Sequence, residues 1–555
     1  MRLRIRAAAG LLAVIALFTC SSVQAQVQPP PAAPPAVQPQ TQLQLGLDEA
    51  VKRALDNNTD IAVSRYDPEL SQQNVVAAKG YYDPYLFSNL SYASQKSPGT
   101  SFLSGGTKVD TTRDVWNFGG AVPIEPTGAT FQVTFNNNKQ DTTSTFSFFN
   151  PTYSSGLNLS LTQPLLRNLQ YDSARQQIYI AKKNREMSDV QFHATIINTV
   201  ATVKGYYYDL VYAFDNLDAA RQNLGLAQRL LNENQIRVKV GTMAPLDVVQ
   251  AQSEVAARET DVITAENQLA QAQDNLKQAI FPANDPATWA IQIQPTDHPG
   301  ADPVPVDLDA AVRIALQNRT DVVNARKNLE IADYNVKYNR SQLLPQLDLV
   351  AAWGAAGAGG PQIRDANGPL VPPIPGGYGD AVSQVFGADF PTWTVGANIS
   401  YSIPNRSYKA AAASARISRD QAQAAFRRLE LQIAAEVRTA GRAVETGFKT
   451  VESSKAARIL AEQRLDAEEK KFAAGMSTNF LVTQAQRDLA LQRVIELTAI
   501  SNYHKSIVNF QRTQEAGLTA AGNVAVLSSS ASSNQAAAAI RSSAAAASVG
   551  STGGF

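Results

Sequence analysis

The sequence predicts an α+β membrane protein built from two structural repeats, with strands of β-barrel type inserted between very long helices. Three observations carry this reading. First, "LDEAVKRALDNNTD" at Leu47 returns as "LDAAVRIALQNRTD" at Leu308, nine of the fourteen positions being identical, and the match runs without a gap to Pro84 and Pro345. Chance does not produce that, whereas a duplicated architecture does. Second, the period changes from helical to two after each of those prolines. Third, Asp172 to Val240 and Arg406 to Ala474 hold 69 residues each without an internal proline, or about 100 Å as helix.

The first 25 residues read as an export signal: Arg2, Arg4 and Arg6, an apolar run from Leu11 to Phe18, and a cleavage site ending at Ala25. That run is too short to cross a bilayer, and no later stretch approaches the roughly 20 apolar residues a transmembrane helix needs. Cys20 is the only cysteine and lies inside the signal, so the mature chain has no thiol chemistry. Leu17-Phe18-Thr19-Cys20 has the outline of a lipobox, which makes Cys20 a candidate lipidation site, although Thr19 fits it poorly. Residues 26–44 form a Pro/Gln-rich linker, and 517–555 an Ala/Ser-rich disordered tail with too little apolar content for a core.

Between the tails, residues 45–290 form the first repeat, 291–305 an inter-repeat linker and 306–516 the second repeat. Each begins with a helix whose opening turn carries acids, Asp48 and Glu49 or Asp309, where carboxylates suit the positive helix end; Asp307 is placed as an N-cap. Asn57-Asn58 and Asn318-Arg319 interrupt this helix, and Thr59 and Thr320 are placed to cap its continuation. Thr392 to Ser402 then alternates strictly, with Trp393, Val395, Ala397, Ile399 and Tyr401 on one face and polar residues or glycine on the other. Leu157, Leu159 and Leu161 repeat the pattern, as do Phe131, Val133 and Phe135. Such strands suit a barrel that is apolar outside and wet inside, and they equally fit a half-buried soluble sheet. Ser97 to Asp110 and Gly354 to Pro391 are rich in Gly, Pro and Ser and read as surface loops.

The two long helices each meet a glycine, Gly241 or Gly475, and return as helices from Leu246 to Ile280 and from Phe480 to Gln514. The first return helix carries a coiled-coil seam: Val248, Ala251, Val255, Arg258, Val262, Ala265, Leu269, Ala272, Leu276 and Ala279 step by three and four. The second keeps it loosely with Val482, Ala485, Leu489, Ala499, Tyr503 and Phe510, and Gln492 stands opposite the outsider Arg258. The 37 residues from Leu47 to Asp83 and the 35 of the return helix together approach the length of one long helix. Each repeat is therefore expected to supply two parallel columns, one of them two short helices stacked end to end.

Composition excludes several function classes. With 49 basic and 48 acidic residues there is no charge excess to draw the chain to nucleic acid. Only His193, His298 and His504 are present, and no glycine-rich phosphate loop follows a strand, so metal and nucleophile constellations lack their parts. The reading is of no enzyme, no cofactor and no metal. An exported trimeric coiled-coil structural or adhesion protein without transport activity is the alternative, but it does not call for strands at matching places in both repeats.

"LDEAVKRALDNN", "LSLTQPLLRN" and "VGTMAPLDVVQAQ", in this order within a duplicated helix–strand–helix plan, resemble the TolC family of outer-membrane efflux channels from about Leu45 to Gln514. The resemblance implies a homotrimer in the cell outer membrane whose strands close one transmembrane β-barrel, continued by a long periplasmic α-helical coiled-coil barrel. It implies a passive conduit of a tripartite efflux or type I secretion system, touching outer-membrane lipid, a periplasmic adaptor protein and, indirectly, an inner-membrane pump. By the same resemblance, Gly241, Thr242, Met243, Gly475, Met476 and Ser477 form the adaptor-contacting periplasmic tips, and Asp247, Phe472, Leu481 and Gln484 occupy the periplasmic aperture. Members often latch the tip with an Asp, an Arg and a Tyr; Asp247 matches the first, while Ser477 and Phe472 stand at the other two positions. The family's ring of carboxylates is likewise replaced by Leu481 and Gln484. The strands from Val115 to Val122 and from Thr130 to Asn136 exceed a simple hairpin, and would either widen the barrel or project from it.

Overall fold

A computed structural model describes residues 42–99, 106–144, 147–282, 286–298, 300–364 and 370–515. The export signal, Cys20, most of the Pro/Gln-rich linker and the Ala/Ser-rich tail lie outside the described residues. The chain opens with β1 (Gln42–Leu45) and a broken helix, α1 (Leu47–Asn57), α2 (Thr59–Ser64) and α3 (Tyr66–Lys79). Four strands follow, β2 (Tyr85–Pro98), β3 (Lys108–Ile124), β4 (Ala129–Thr142) and β5 (Thr152–Pro164), then α4 (Ser173–Lys239) and the returning α5 (Pro245–Ile280). After β6 (Gln292–Pro295) come α6 (Leu308–Asn318), α7 (Thr320–Ser341), β7 (Gln346–Gly359), β8 (Gln362–Arg364), β9 (Leu370–Ile374), α8 (Tyr378–Gly387), β10 (Phe390–Ser400), α9 (Arg406–Ala473) and α10 (Asn479–Gln514).

The long helices run 67 and 68 residues, each about 100 Å. Near the sheet α4 packs on α3 and α7; towards its far end it packs on α5 and α10, while α9 packs on α7, α6 and α10. Four columns result. The seam positions of α5 are all buried or partly buried, Ala251, Ala265, Ala272, Leu276 and Ala279 fully so, and the six named seam residues of α10 are all buried. Alanine at the contact lets these helices approach closely.

The duplicated "NNT" and "NRT" motifs mark the joint within a column. Asn57 and Asn58 donate through Nδ2 to the carbonyls of Ile280 and Ala279, both at 3.2 Å, so they satisfy the orphan carbonyls at the end of α5. Asn58 Oδ1 meanwhile accepts from the N–H groups of Asp60 and Ile61 at 2.9 and 3.2 Å. The cap of α2 is therefore Asn58 and not Thr59, the residue the sequence pattern favoured, because Asn58 alone sits where one side chain serves both helix ends. In the second repeat Arg319 reaches the Thr513 carbonyl at 3.4 Å, and Thr320 donates through its N–H and hydroxyl to Glu515 Oε2 at 2.8 and 2.7 Å. Because α2 stacks on α5 at this break, α1 leaves the column and packs beside it against α4 and α5. The end-to-end column is thus shorter than the full 37-residue segment implied. Asp307 caps α6 as expected, accepting from Asp309 N and Ala310 N at 3.0 Å.

Beside α1, the segments read as linkers pair: β1 lies parallel to β6. Tyr207, fully buried, donates to the Leu45 carbonyl at 3.1 Å, and Leu47 N–H donates to Asp297 Oδ2 at 2.8 Å. The Leu47 N–H, helped by the Tyr207 hydroxyl, holds the Asp297 carboxyl below the usual carboxylate range.

Two measurements check this joint. Asn58→Ala removes a cap and a buried tie at once, and is expected to cost about 1–2 kcal/mol, read as a lower midpoint in denaturant unfolding. Asp297 is depressed, so its contribution is present above the unfolded carboxylate value near 3.9 and is lost as pH falls through the folded value. Asp297→Asn should accordingly lower the melting temperature at neutral pH and flatten its decline below about pH 4. An unchanged acid limb would contradict the assignment.

Candidate functional site

The six long strands form one antiparallel sheet in the order β10-β7-β5-β4-β3-β2. Register and alternation sort its side chains into two faces. One row across the sheet reads Leu86, Gly120, Val133, Leu159, Trp353 and Trp393; its neighbour reads Val122, Phe131, Leu161, Ala351 and Val395. The opposite face is mostly Ser, Thr, Asn and Gln, as in the row Asn117, Asn136, Gly156, Ala356. The apolar band from Leu347 to Ala355 spans about 20 Å once the strands are tilted by about 40°. A hydrocarbon layer on one side and water on the other is what such a sheet can separate.

Both edges of the sheet are open. All of β10 and all but one residue of β2 are exposed, with Leu86 at 89% and Trp393 at 77%. Above the apolar band on the same face lies α8, against β7 and β5. Its Ala381 carbonyl comes so close that a Cβ on Gly357 would meet it at 2.0 Å, and Tyr378 donates to Asn137 Oδ1 at 2.9 Å. The stretch from Gly354 to Pro391 is therefore not simply loop: β7 continues to Gly359 because its glycines seat the backbone of α8.

Beneath the sheet, the two repeats are stitched at the root of the helices. Arg167, buried, donates through Nε to the Leu344 carbonyl and through Nη1 to Tyr408 Oη, both at 3.1 Å, and its guanidinium lies 4.4 Å from the Tyr408 ring centre. Asp172 caps α4 by accepting from Arg175 N at 2.6 Å.

At the far end, both helical hairpins turn in the same way. Gly241 and Gly475 have φ of +75° and +74°. Gly241 N–H donates to Val238 O and Thr242 N–H to Arg237 O; Gly475 N–H donates to Phe472 O and Met476 N–H to Lys471 O. Each is a Schellman cap, and nothing crowds either glycine, so the left-handed backbone is the reason for glycine. Thr242 and Met476 are exposed, while Met243 packs against the buried cluster of Leu230, Leu465, Phe472, Val482, Ala485 and Leu489. Ser477 donates to Glu468.

The residues placed at the aperture divide. Leu481 is exposed, Asp247 and Gln484 are half-buried, and Gln484 donates to Asp488 at 2.8 Å. Phe472 is buried, its ring 4.3 Å from the Arg237 guanidinium, so within this chain it packs between helices rather than lining an opening. The ties between the two hairpins are ones that sequence reasoning missed. Asn234 Nδ2 donates to Asn479 Oδ1 at 2.8 Å, and Arg487 grips Glu254 Oε2 through Nε and Nη2 at 2.9 and 2.6 Å. The Glu254 side chain is 4% exposed. Arg258, the outsider in the seam, lies 3.1 Å from it and 2.7 Å from Asp261. That outsider was the one available signal. Among the described residues no group of three or more His, Cys, Asp or Glu is placed to hold a metal ion, and no helix is long and apolar enough to cross a membrane.

Arg487→Ala leaves the Glu254 carboxylate buried with Arg258 alone. It is expected to destabilise the tip by on the order of 2 kcal/mol, read as faster hydrogen exchange confined to 240–256 and 475–490. Exchange that stays at the wild-type rate would show that the pair does not hold the hairpins together.

The family model for outer membrane efflux proteins matches residues 126–280 and 311–513, more than half of the chain. The outer membrane protein TolC of Vibrio cholerae serotype O1 is 25% identical over 169 residues, 30% of this chain and 38% of that protein, so the likeness spans well under half of that relative. Three solved structures share the fold. The outer-membrane channel OprN aligns with a TM-score of 0.61 at 16% identity, covering 85% of this chain and 90% of its own. CusC aligns at 0.61 and 16% over 88% and 98%, and the Campylobacter jejuni CmeC outer membrane channel at 0.60 and 17% over 85% and 86%. Those channels share this chain's fold, and with the family model matched over 126–280 and 311–513 the chain belongs to the outer membrane efflux protein family, whose place is the outer membrane, extending into the periplasm.

Proposed function

We propose that this chain is one subunit of a homotrimeric channel that serves efflux or type I secretion as the outer-membrane part of a tripartite assembly. The observation that carries this reading is the six-stranded sheet with one apolar face, one polar face and two open edges. In hydrocarbon an unpaired strand edge costs several kcal/mol per group, and a neighbour's edge removes that cost. Because β2 runs away from the helices and β10 runs back towards them, β10 of one copy meets β2 of the next antiparallel. Three copies close one barrel, and their columns close a tube across the periplasm. The polar face then lines a water-filled bore. The duct carries out no chemistry and hydrolyses no nucleotide; an inner-membrane pump drives transport.

The periplasmic tips are the contact for an adaptor protein. Supporting this, Val240, Leu246, Met476 and Phe480 stand exposed around Gly241 and Gly475, a cluster of apolar side chains of the kind that marks a protein contact. Thr242, Met243 and Ser477 belong to the same surface, and Asp247, Leu481 and Gln484 border the opening once three copies assemble. The repeats 45–290 and 306–516 are the two halves of each copy's share. The adhesive coiled-coil alternative gives no role to a sheet with an apolar membrane-width face.

Purified from outer membranes, the protein is expected to run as a trimer and to give discrete ion-conducting steps in planar lipid bilayers; binding to surfaces without conductance would favour the alternative. With Leu481 and Gln484 where carboxylates would attract cations, micromolar trivalent cation on the periplasmic side should change the conductance by less than about twofold. Strong block would place a carboxylate ring elsewhere at the aperture.

A further inference from the structure

The strands β3 and β4 set how wide the membrane section is. They are not a hairpin hanging from the sheet: β2 pairs along its length with β3, β3 with β4, and β4 with β5, each through an antiparallel ladder of eleven or more residue pairs. The first strand of the sheet reaches the rest only through them. Their faces also continue the pattern of their neighbours, since Phe118, Val122, Phe131, Val133 and Phe135 lie on the face of Leu157, Leu159 and Trp353.

Resting on the trimeric reading above, we infer that three copies close an eighteen-stranded barrel, with all six strands of each copy's sheet in the membrane wall. Strands about 4.8 Å apart and tilted by about 40° each occupy about 6.3 Å of circumference. Eighteen occupy about 113 Å. With β3 and β4 outside the wall, twelve strands would occupy only about 75 Å. The wide barrel has a backbone radius near 18 Å, which leaves a bore about 25 Å across once side chains are allowed for.

The bore face is nearly uncharged. Among its described residues only Arg113 and Asp348 ionise in each chain, and they carry opposite signs; hydroxyl and amide side chains make up most of the rest. The membrane section therefore sorts solutes by size and not by charge, and admits neutral hydrophilic molecules up to about 20 Å across.

Electron cryomicroscopy of the intact protein in lipid nanodiscs tests this by counting strands. Eighteen strands are expected, six from each copy. A closed trimer of twelve strands, with β3 and β4 folded outside the wall, overturns the inference and leaves the channel reading standing; particles without any shared barrel overturn both. A second test needs no altered protein. Neutral polyethylene glycols added on the extracellular side of single channels should enter the bore up to a diameter of about 20 Å, and a cutoff near 12 Å would overturn the wide barrel.

Discussion

Every peptide group that enters hydrocarbon must be paired, and this constraint orders the rest of the molecule. A single copy pairs the strands within its sheet and leaves the outer edges of β2 and β10 open, with Leu86, Leu90, Trp393 and Val395 standing out from them. The sheet has an even number of strands, so its two edges run in opposite directions and can pair antiparallel between copies. The proposed closure between chains would satisfy the backbone and cover the edges in one step, which no loop at the edge of a lone sheet could do.

From that closure follows the design of the helices. In the proposed trimer a barrel wall that repeats three times needs a support that repeats with it, and the four columns of each copy provide one. The breaks in the columns are filled: at the first, Asn57 and Asn58 donate to the carbonyls at the end of α5; at the second, Arg319, Thr320 and Glu515 join α7 to α10. The two joints thus solve one problem with different side chains. The tips show the reverse, an identical Schellman cap at Gly241 and Gly475, since a left-handed residue closing a tight helical turn leaves little chemical choice.

Much of this was legible in the sequence wherever a period recurs. Alternation disclosed β4, β5 and β10, and the three-four spacing disclosed the seam of α5, whose positions are buried or partly buried. The long helices end within one or two residues of Val240 and Ala474. What escaped depends on contacts between segments far apart in the chain. The α8 helix lies in a Gly/Pro-rich stretch that reads as loop, and its place is fixed by a glycine-lined seat on β7 and by Asn137, 241 residues from Tyr378. The departure of α1 from its column could not be found by adding lengths, because it follows from side chains that cap a different helix. The tie between Glu254 and Arg487 joins residues 233 apart, and only the misplaced arginine at 258 hinted that the seam there was doing something other than apolar packing.

The central claim is that neighbouring copies pair β10 with β2. The only cysteine, Cys20, precedes the expected cleavage point after Ala25, so single cysteines can be introduced on a background without competing thiols in the processed chain. Val395→Cys combined in turn with Ser88→Cys, Leu90→Cys and Tyr92→Cys, oxidised in outer membranes, tests the pairing directly. The account gives covalent dimers and trimers and nothing larger, strongest at one register of β2. Chains that remain uncrosslinked at every register, or that form ladders beyond three copies, would contradict it.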